Sequence, residues 1–323
     1  MRTGTARWTH GAGSEPGPAP RRVLIIGTGL IGTSIALALR DRGTRVLLAD
    51  RDPAAARLAA RLGAGTVAPA VPDEPADLAV LAVPPPAVPA ALLDAQKSGA
   101  ARAYTDVAGV KEVVLAEAAE LGCDMAAFVG GHPLGGRERS GPLAARRSLF
   151  RGRPWVLCPT TESGADAVAC VTGLAAACGA VPVTMDAAEH DRAVALISHA
   201  PHVVASAMAA RFLPAPARTL SLTGRGARDV TRIAAGDPAL WFGILRGNAL
   251  PIADVIDDVA RDLARTAAAL RAAPGAGPGD GGAARAVIDL LARGEAGHGR
   301  IRVPGLDETN ADVEEELDGS NAQ

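Results

Sequence analysis

The chain has 323 residues, enough for two domains, and its 48% hydrophobic content supplies material for a substantial core. A formal net charge of −2 and an aromatic content of 2% leave neither a basic surface nor stacking platforms, so no nucleic-acid partner is expected. No stretch reaches the roughly 18 charge-free apolar residues of a membrane span, and the Gly-, Pro- and Arg-rich start lacks a signal-peptide core, so a cytoplasmic protein without a membrane partner is expected.

In chain order, residues 1–21 read as a disordered leader. Val23-Leu24-Ile25-Ile26 is a short, wholly apolar run, as a parallel strand buried on both faces requires. A helix follows from about Leu30 to Gly43, then a strand over 45–49 and a helix from Pro53 to about Gly63. Further strands are expected over 78–83, ended by Pro84-Pro85-Pro86, and over 103–107, followed by a helix over 110–121. Phe128-Val129 and residues 155–157 are shorter strand candidates. Such alternation implies an α/β domain over 22–184, a doubly wound parallel sheet of Rossmann type.

After Met185 the pattern becomes helical over 186–212, with a kink before Pro201, and again over 217–235 and 238–270. An all-α second domain over 185–271 is therefore expected, with homodimer formation burying its apolar faces. Residues 272–323, rich in Gly and Pro and then acidic, are expected to be largely disordered apart from a helix near 284–291. The only lysines are Lys97 and Lys111, and the preference for Arg reads as codon usage. Cys123, Cys158, Cys170 and Cys178 show no CxxC spacing, so reduced, buried thiols are expected.

Gly27-Thr28-Gly29-Leu30-Ile31-Gly32 is a GxGxxG run lying between an apolar strand and a helix. In that context Gly27 makes a tight turn, Gly29 lets the backbone approach a pyrophosphate, and Gly32 lets helix and strand pack closely. Asp50 follows Gly32 by 18 positions, near the spacing of an acid that binds the adenine ribose. Its charge would repel a 2′-phosphate and favour NAD over NADP, while the adjacent Arg51 softens that preference. Val83 and Pro84, ending the third strand, complete the expected cofactor contacts. FAD uses the same fingerprint and remains a rival.

Hydride transfer needs a group to take a proton and cations to hold an acidic substrate. His132, in Gly130-Gly131-His132-Pro133-Leu134-Gly135-Gly136, is read as lying in a loop after a strand, where open α/β sheets bind ligands. A surface histidine is the alternative. His199 and His202 are three apart, with His190 nine before His199, but no Cys or acidic ligand completes a metal site, so none is expected. Arg228 and Arg232 share one helix face, either as solvated charges or as a clamp for a carboxylate.

The chain resembles the prephenate dehydrogenase family over about residues 22–270. The resemblance is carried by Asp106-Val107-Ala108-Gly109-Val110-Lys111, by Gly131-His132-Pro133-Leu134-Gly135-Gly136-Arg137-Glu138-Arg139-Ser140-Gly141 and by Ser198-His199-Ala200-Pro201-His202. A fourth segment is Arg228-Asp229-Val230-Thr231-Arg232-Ile233-Ala234 with Asp237-Pro238 and Trp241. It implies NAD-dependent oxidative decarboxylation of a cyclohexadiene, with His132 taking the C4 hydroxyl proton, Arg232 binding a carboxylate and His202 near the substrate side chain. Gly109, Arg137 and His199 are also expected at the substrate.

Two departures stand out. Most members carry a serine where this chain has Gly109, and members often continue into an amino-acid-sensing domain where this chain has an acidic tail. Both suggest 4-amino-4-deoxyprephenate as an alternative substrate to prephenate, with arogenate a third, and feedback inhibition by tyrosine is not expected. A non-catalytic NAD-binding sensor is the reading from another class. A hydroxyacid dehydrogenase would usually place a catalytic lysine in the second domain, where this chain has none.

Overall fold

The computed structural model describes residues 17–69, 74–135, 141–272 and 281–301. They fall into two compact units, divided after Ile252. The first carries an eight-stranded sheet: β1 (Arg22–Ile26), β2 (Arg45–Ala49), β3 (Thr66–Val67), β4 (Ala76–Leu81), β5 (Ala101–Asp106), β6 (Phe128–Pro133), β7 (Pro154–Cys158) and β8 (Val181–Thr184). The strand order is β3-β2-β1-β4-β5-β6-β7-β8, so the chain reverses direction across the sheet between β1 and β4. That reversal opens the crevice in which doubly wound folds bind ligands.

The sheet is covered on both faces, which explains its apolar strands. With side chains alternating along β1, Val23 and Ile25 join one core with Ile35 and Leu39 of α1 (Leu30–Arg40) and Val171 and Leu174 of α5 (Ala165–Ala177). Leu24 joins the other, with Val88 and Leu92 of α3 (Val88–Lys97) and Val114 of α4 (Glu112–Glu120). Helix α2 (Pro53–Arg61) is capped by Asp52, whose side chain accepts from the Ala54 N–H.

Three differences from the sequence expectation have physical reasons. The sheet is not wholly parallel, because β7 returns antiparallel to β6. No crossover helix occurs among the described residues between these strands, and a parallel return needs one. Helix α3 follows the proline run at once, since Pro89 sits in its first turn, where a missing N–H costs nothing. Residues 17–21 are ordered: the Pro20 carbonyl accepts from the Thr44 hydroxyl, and the Asp77 carboxylate accepts from the Arg21 N–H. Residues 1–16 of the expected leader lie outside the described residues.

After β8 the described chain is helical. Helix α6 (Ala187–Val194), a π-helical turn (Ala195–His199) and α7 (Ala200–Ala209) run on continuously. Pro201 lacks an N–H and its ring crowds the preceding turn, so a widened π turn stands where a kink was expected. The helix over Ala187–Phe212 is long and apolar enough to cross a membrane by length and composition. Its buried His190, Asp191, His199 and His202 instead mark a helix packed within the protein.

Next come α8 (Ala217–Leu220), α9 (Arg225–Thr231), a 3-10 turn (Arg232–Ala235), α10 (Pro238–Gly247) and α11 (Ala249–Ala272). In the second unit, α12 (Gly281–His298) covers the helix expected near 284–291 and is longer at both ends: Ala, Val, Ile and Leu recur at helical spacing, and Arg293 forms a forked pair with Asp262 of α11 at 3.0 and 3.1 Å. All four cysteines are free thiols, and burial pushes Cys158 and Cys178 up to about 12.

Candidate active site

The carboxyl ends of the central strands align, with Ala49, Ile26, Leu81 and Asp106 in one row of the register. The glycine turn, Asp50 and His132 lie just beyond this row. Gly27 has φ of 101°, and a Cβ there would lie 2.2 Å from the Ala82 carbonyl oxygen. A Cβ on Gly32 would meet the Gly27 oxygen at 2.0 Å, so α1 can close on β1 only without one. A Cβ on Gly29 would meet nothing within 4 Å, so the first turn of α1 faces open space.

Asp50 is turned towards this loop. One carboxylate oxygen accepts from the Thr28 N–H at 2.6 Å and the Thr28 hydroxyl at 2.8 Å, and the other accepts from the Asp52 N–H at 2.9 Å. Burial raises its pKa, but those hydrogen bonds and the Arg51 charge outweigh it and hold the acid below its ordinary value. Leu30, Ile31 and Val83 are half-buried beside the turn, and Pro84 and Arg51 are exposed.

His132 does not lie in a loop, as the sequence suggested, but within β6, paired with Val156. Its position is fixed one residue earlier. Asp106 accepts from the Gly131 N–H at 2.9 Å, while Lys111 Nζ donates to the Gly131 carbonyl at 2.9 Å and is ion-paired with Asp106. Both charged side chains are fully buried. A Cβ on Gly131 would lie 2.7 Å from the Asp106 backbone carbonyl oxygen, so only glycine lets β6 pass there.

The half-buried His132 ring heads a chain of hydrogen bonds that runs into the buried His190 and Asp191. His132 Nδ1 lies 2.8 Å from His190 Nε2, and His190 Nδ1 lies 2.7 Å from Asp191 Oδ1. Asp191 also accepts from the Lys111 and Glu112 N–H groups at 2.9 Å, which ties the start of α4 to α6. Asp191 accepts, so His190 Nδ1 donates, and in the neutral ring its Nε2 is left to accept. His132 Nδ1 therefore carries the proton, and His132 Nε2 is bare.

That nitrogen faces the position of Gly109, where a Cβ would lie 3.7 Å from His132 Nε2 and 3.9 Å from His199 Nε2. Burial, then the neighbouring His190, Lys111 and His199, push His132 well below its ordinary 6.5. Burial also lowers His199, to about 4, against the pull of Asp191.

The unfolded chain takes up protons at these histidines near 6.5 and the folded chain does not, so their contribution to stability is complete above that pH. It is lost as the pH falls from 6.5 towards about 4. The midpoint of thermal unfolding should therefore drop on going from about pH 7 to pH 5. A level profile would mean that these rings are solvated.

His202 is buried on α7, with Nδ1 lacking a hydrogen-bond partner. Its ring stacks on Trp241, with centroids 3.5 Å apart and planes 12° from parallel. A Cβ on Gly236 would lie 2.3 Å from Trp241 Nε1, so that glycine admits the stack. Arg232 is exposed and begins the 3-10 turn that packs against α7. Arg228 lines a separate cavity of about 610 Å³ with Phe212, Thr223 and Arg225, which shares no residue with the His132 cluster. Arg137 lies outside the described residues.

Sequence reading left three features without a role: the His190–Asp191 pair, the Asp106–Lys111 ion pair and Asn248. Asn248 breaks what was read as one helix over 238–270, and the Gly247-Asn248 dipeptide with Pro251 beyond it was the available signal.

A doubly wound sheet with an open glycine turn between β1 and α1 defines a Rossmann-type dinucleotide-binding fold by class. Comparison with known proteins names the family. Residues 35–184 match the model "Prephenate dehydrogenase, nucleotide-binding domain" and residues 186–275 match "Prephenate dehydrogenase, dimerization domain". The chain belongs to the prephenate dehydrogenase family.

It is 46% identical over 238 residues to the probable prephenate dehydrogenase NovF of Streptomyces niveus, covering 73% of this chain and 65% of that protein. It therefore spans just under two thirds of that relative's length. It is 32% identical over 249 residues to a cyclohexadienyl dehydrogenase of Zymomonas mobilis, covering 73% of this chain and 84% of that one. The fold is similar to that of Aquifex aeolicus prephenate dehydrogenase in complex with hydroxyphenyl propionate and NAD+, with a TM-score of 0.75 and 25% identity over 87% of this chain and 98% of that chain.

Proposed function

We propose that the chain is an NAD-dependent dehydrogenase that oxidises and decarboxylates prephenate to 4-hydroxyphenylpyruvate, with His132 as the proton acceptor. The observation that carries this is the bare His132 Nε2, backed by His190 and Asp191 and turned to the open position at Gly109. On this reading residues 22–184 hold the cofactor, and residues 185–271 hold substrate and pair two copies as a cytoplasmic homodimer.

The Gly27 to Gly32 turn would hold the pyrophosphate against the start of α1, with Asp50 on the adenine ribose and Val83 and Pro84 alongside. A dinucleotide held there would supply the acceptor for the hydride lost from C4. As that hydride leaves, the hydroxyl proton passes to His132 Nε2, and Asp191 stabilises the positive charge spreading over His132 and His190. The bond from C1 to its carboxylate then breaks with release of CO2, its electron pair completes the aromatic ring, and His132 returns the proton to the ring oxygen. Arg232 would hold a carboxylate, and the unpaired His202 Nδ1 would meet the substrate side chain.

Asp50→Ala removes both the ribose acceptor and the anchor of Thr28. It should lower kcat/KM for NAD about 10–100-fold and narrow the gap to NADP. Unchanged use of both dinucleotides would place the adenosine elsewhere.

The open position at Gly109 favours one second reading, that the substrate carries an amino group at C4. Following NADH formation with prephenate and with 4-amino-4-deoxyprephenate in parallel tests both. Preference for prephenate supports the first reading, and preference for the amine supports the second. Turnover of neither, with NAD still bound, would favour a sensor and sink the proposal.

A further inference from the structure

Asn248 ends α10, is buried, and bonds in two directions. Its Nδ2 donates to the Asp191 carbonyl at 2.7 Å and lies 3.2 Å from His199 Nδ1. A carbonyl only accepts, so the Asn248 atom between them must be the NH2 group. Its second hydrogen then points at His199 Nδ1, which must be the bare nitrogen of that ring. The His199 proton is therefore on Nε2, which lies 3.9 Å from a Cβ built at Gly109, while the bare His132 Nε2 lies 3.7 Å from the same point.

An acceptor and a donor thus meet across a gap with no side chain in it. A group that fills such a gap must donate one hydrogen bond and accept another, as a hydroxyl or a neutral amine does. Building on the function proposed above, we infer that His199 donates from Nε2 to the heteroatom on the carbon that loses hydride, and that Asn248 is the positioning residue that fixes this tautomer. The substrate's own hydroxyl or amine then completes the hydrogen bonds that a serine at position 109 would otherwise make.

The test is Asn248→Asp. A carboxylate can only accept, so it draws the His199 proton to Nδ1 and leaves two lone pairs facing the substrate. Two-bond proton–nitrogen correlation spectra, which separate protonated from bare ring nitrogens, should show the switch at His199. In the same protein kcat/KM for the preferred cyclohexadiene should fall about 10–100-fold, with the affinity for NAD retained.

Adding Gly109→Ser should recover most of the loss, because its hydroxyl enters the gap within reach of both rings and supplies the missing donor. Should Asn248→Asp not fold, Asn248→Ala, which leaves the tautomer free, should show a smaller loss with the same rescue.

A switched tautomer with kcat/KM within twofold of the starting protein would overturn the inference, and so would loss without rescue by Gly109→Ser. If the unaltered chain turns over neither cyclohexadiene, the proposed function fails and takes this inference with it. Turnover with insensitive Asn248 variants removes this inference alone.

Discussion

Replacing His132 with Asn should lower kcat by about 10²–10⁴-fold, the usual contribution of a positioned general base. The substitution keeps a polar side chain of similar reach but removes the nitrogen that faces Gly109. It leaves the glycine turn and Asp50 untouched, so the dissociation constant for NAD, measured by titration calorimetry, should not move. Loss of turnover with intact NAD binding separates a catalytic base from a structural histidine, whose loss would disturb both. Activity within tenfold of the starting protein would mean that another group takes the proton.

Lys111→Met should be among the most destabilising single changes in the chain. The Asp106 carboxylate would keep its hydrogen bonds from the Ala108 and Gly131 N–H groups, but it would be buried with no countercharge. Breaking such a pair costs about 3–5 kcal/mol, against a total stability of about 5–15 kcal/mol for a typical domain. The damage would reach His132 as well, because Lys111 also holds the Gly131 carbonyl. Urea unfolding should show a much lower midpoint, and Asp106→Asn in the same chain should recover part of it by removing the stranded charge. A loss below about 1 kcal/mol would mean that water reaches the pair.

This ion pair also accounts for one sequence segment that carried the family resemblance. Asp106 and Lys111 bracket a turn, and their charges lock β5 to β6 beneath the histidine. From the sequence alone only Gly109 in that segment had an expected role, and the two charged residues had none.

The glycine turn was legible because its requirements are local. Each glycine answers to backbone within the same strand–turn–helix unit or the neighbouring strand end, and Asp50 lies one strand away. Strand composition was legible for a similar reason, since burial on both faces demands apolar residues along the whole run. The antiparallel β7 and the helix after the prolines were not. Strand direction depends on how the connection returns, and proline is disfavoured only after the first helical turn.

The site divides in the same way. His132 could be singled out from its motif, but residue spacing does not determine a proton's position on a ring. His132 and His190 are 58 residues apart, and Asn248 lies 57 from Asp191 and 49 from His199. No periodicity links positions so distant, and each of these residues alone reads as an ordinary polar side chain in or near a helix. Sequence by itself determined the Rossmann turn, the alternation of strands and helices, the apolar helical region and the identity of the catalytic candidate. Only the tertiary structure decided which nitrogen of each histidine is bare, because that depends on acceptors brought together by the packing of α6, α7 and α10 against the carboxyl edge of the sheet.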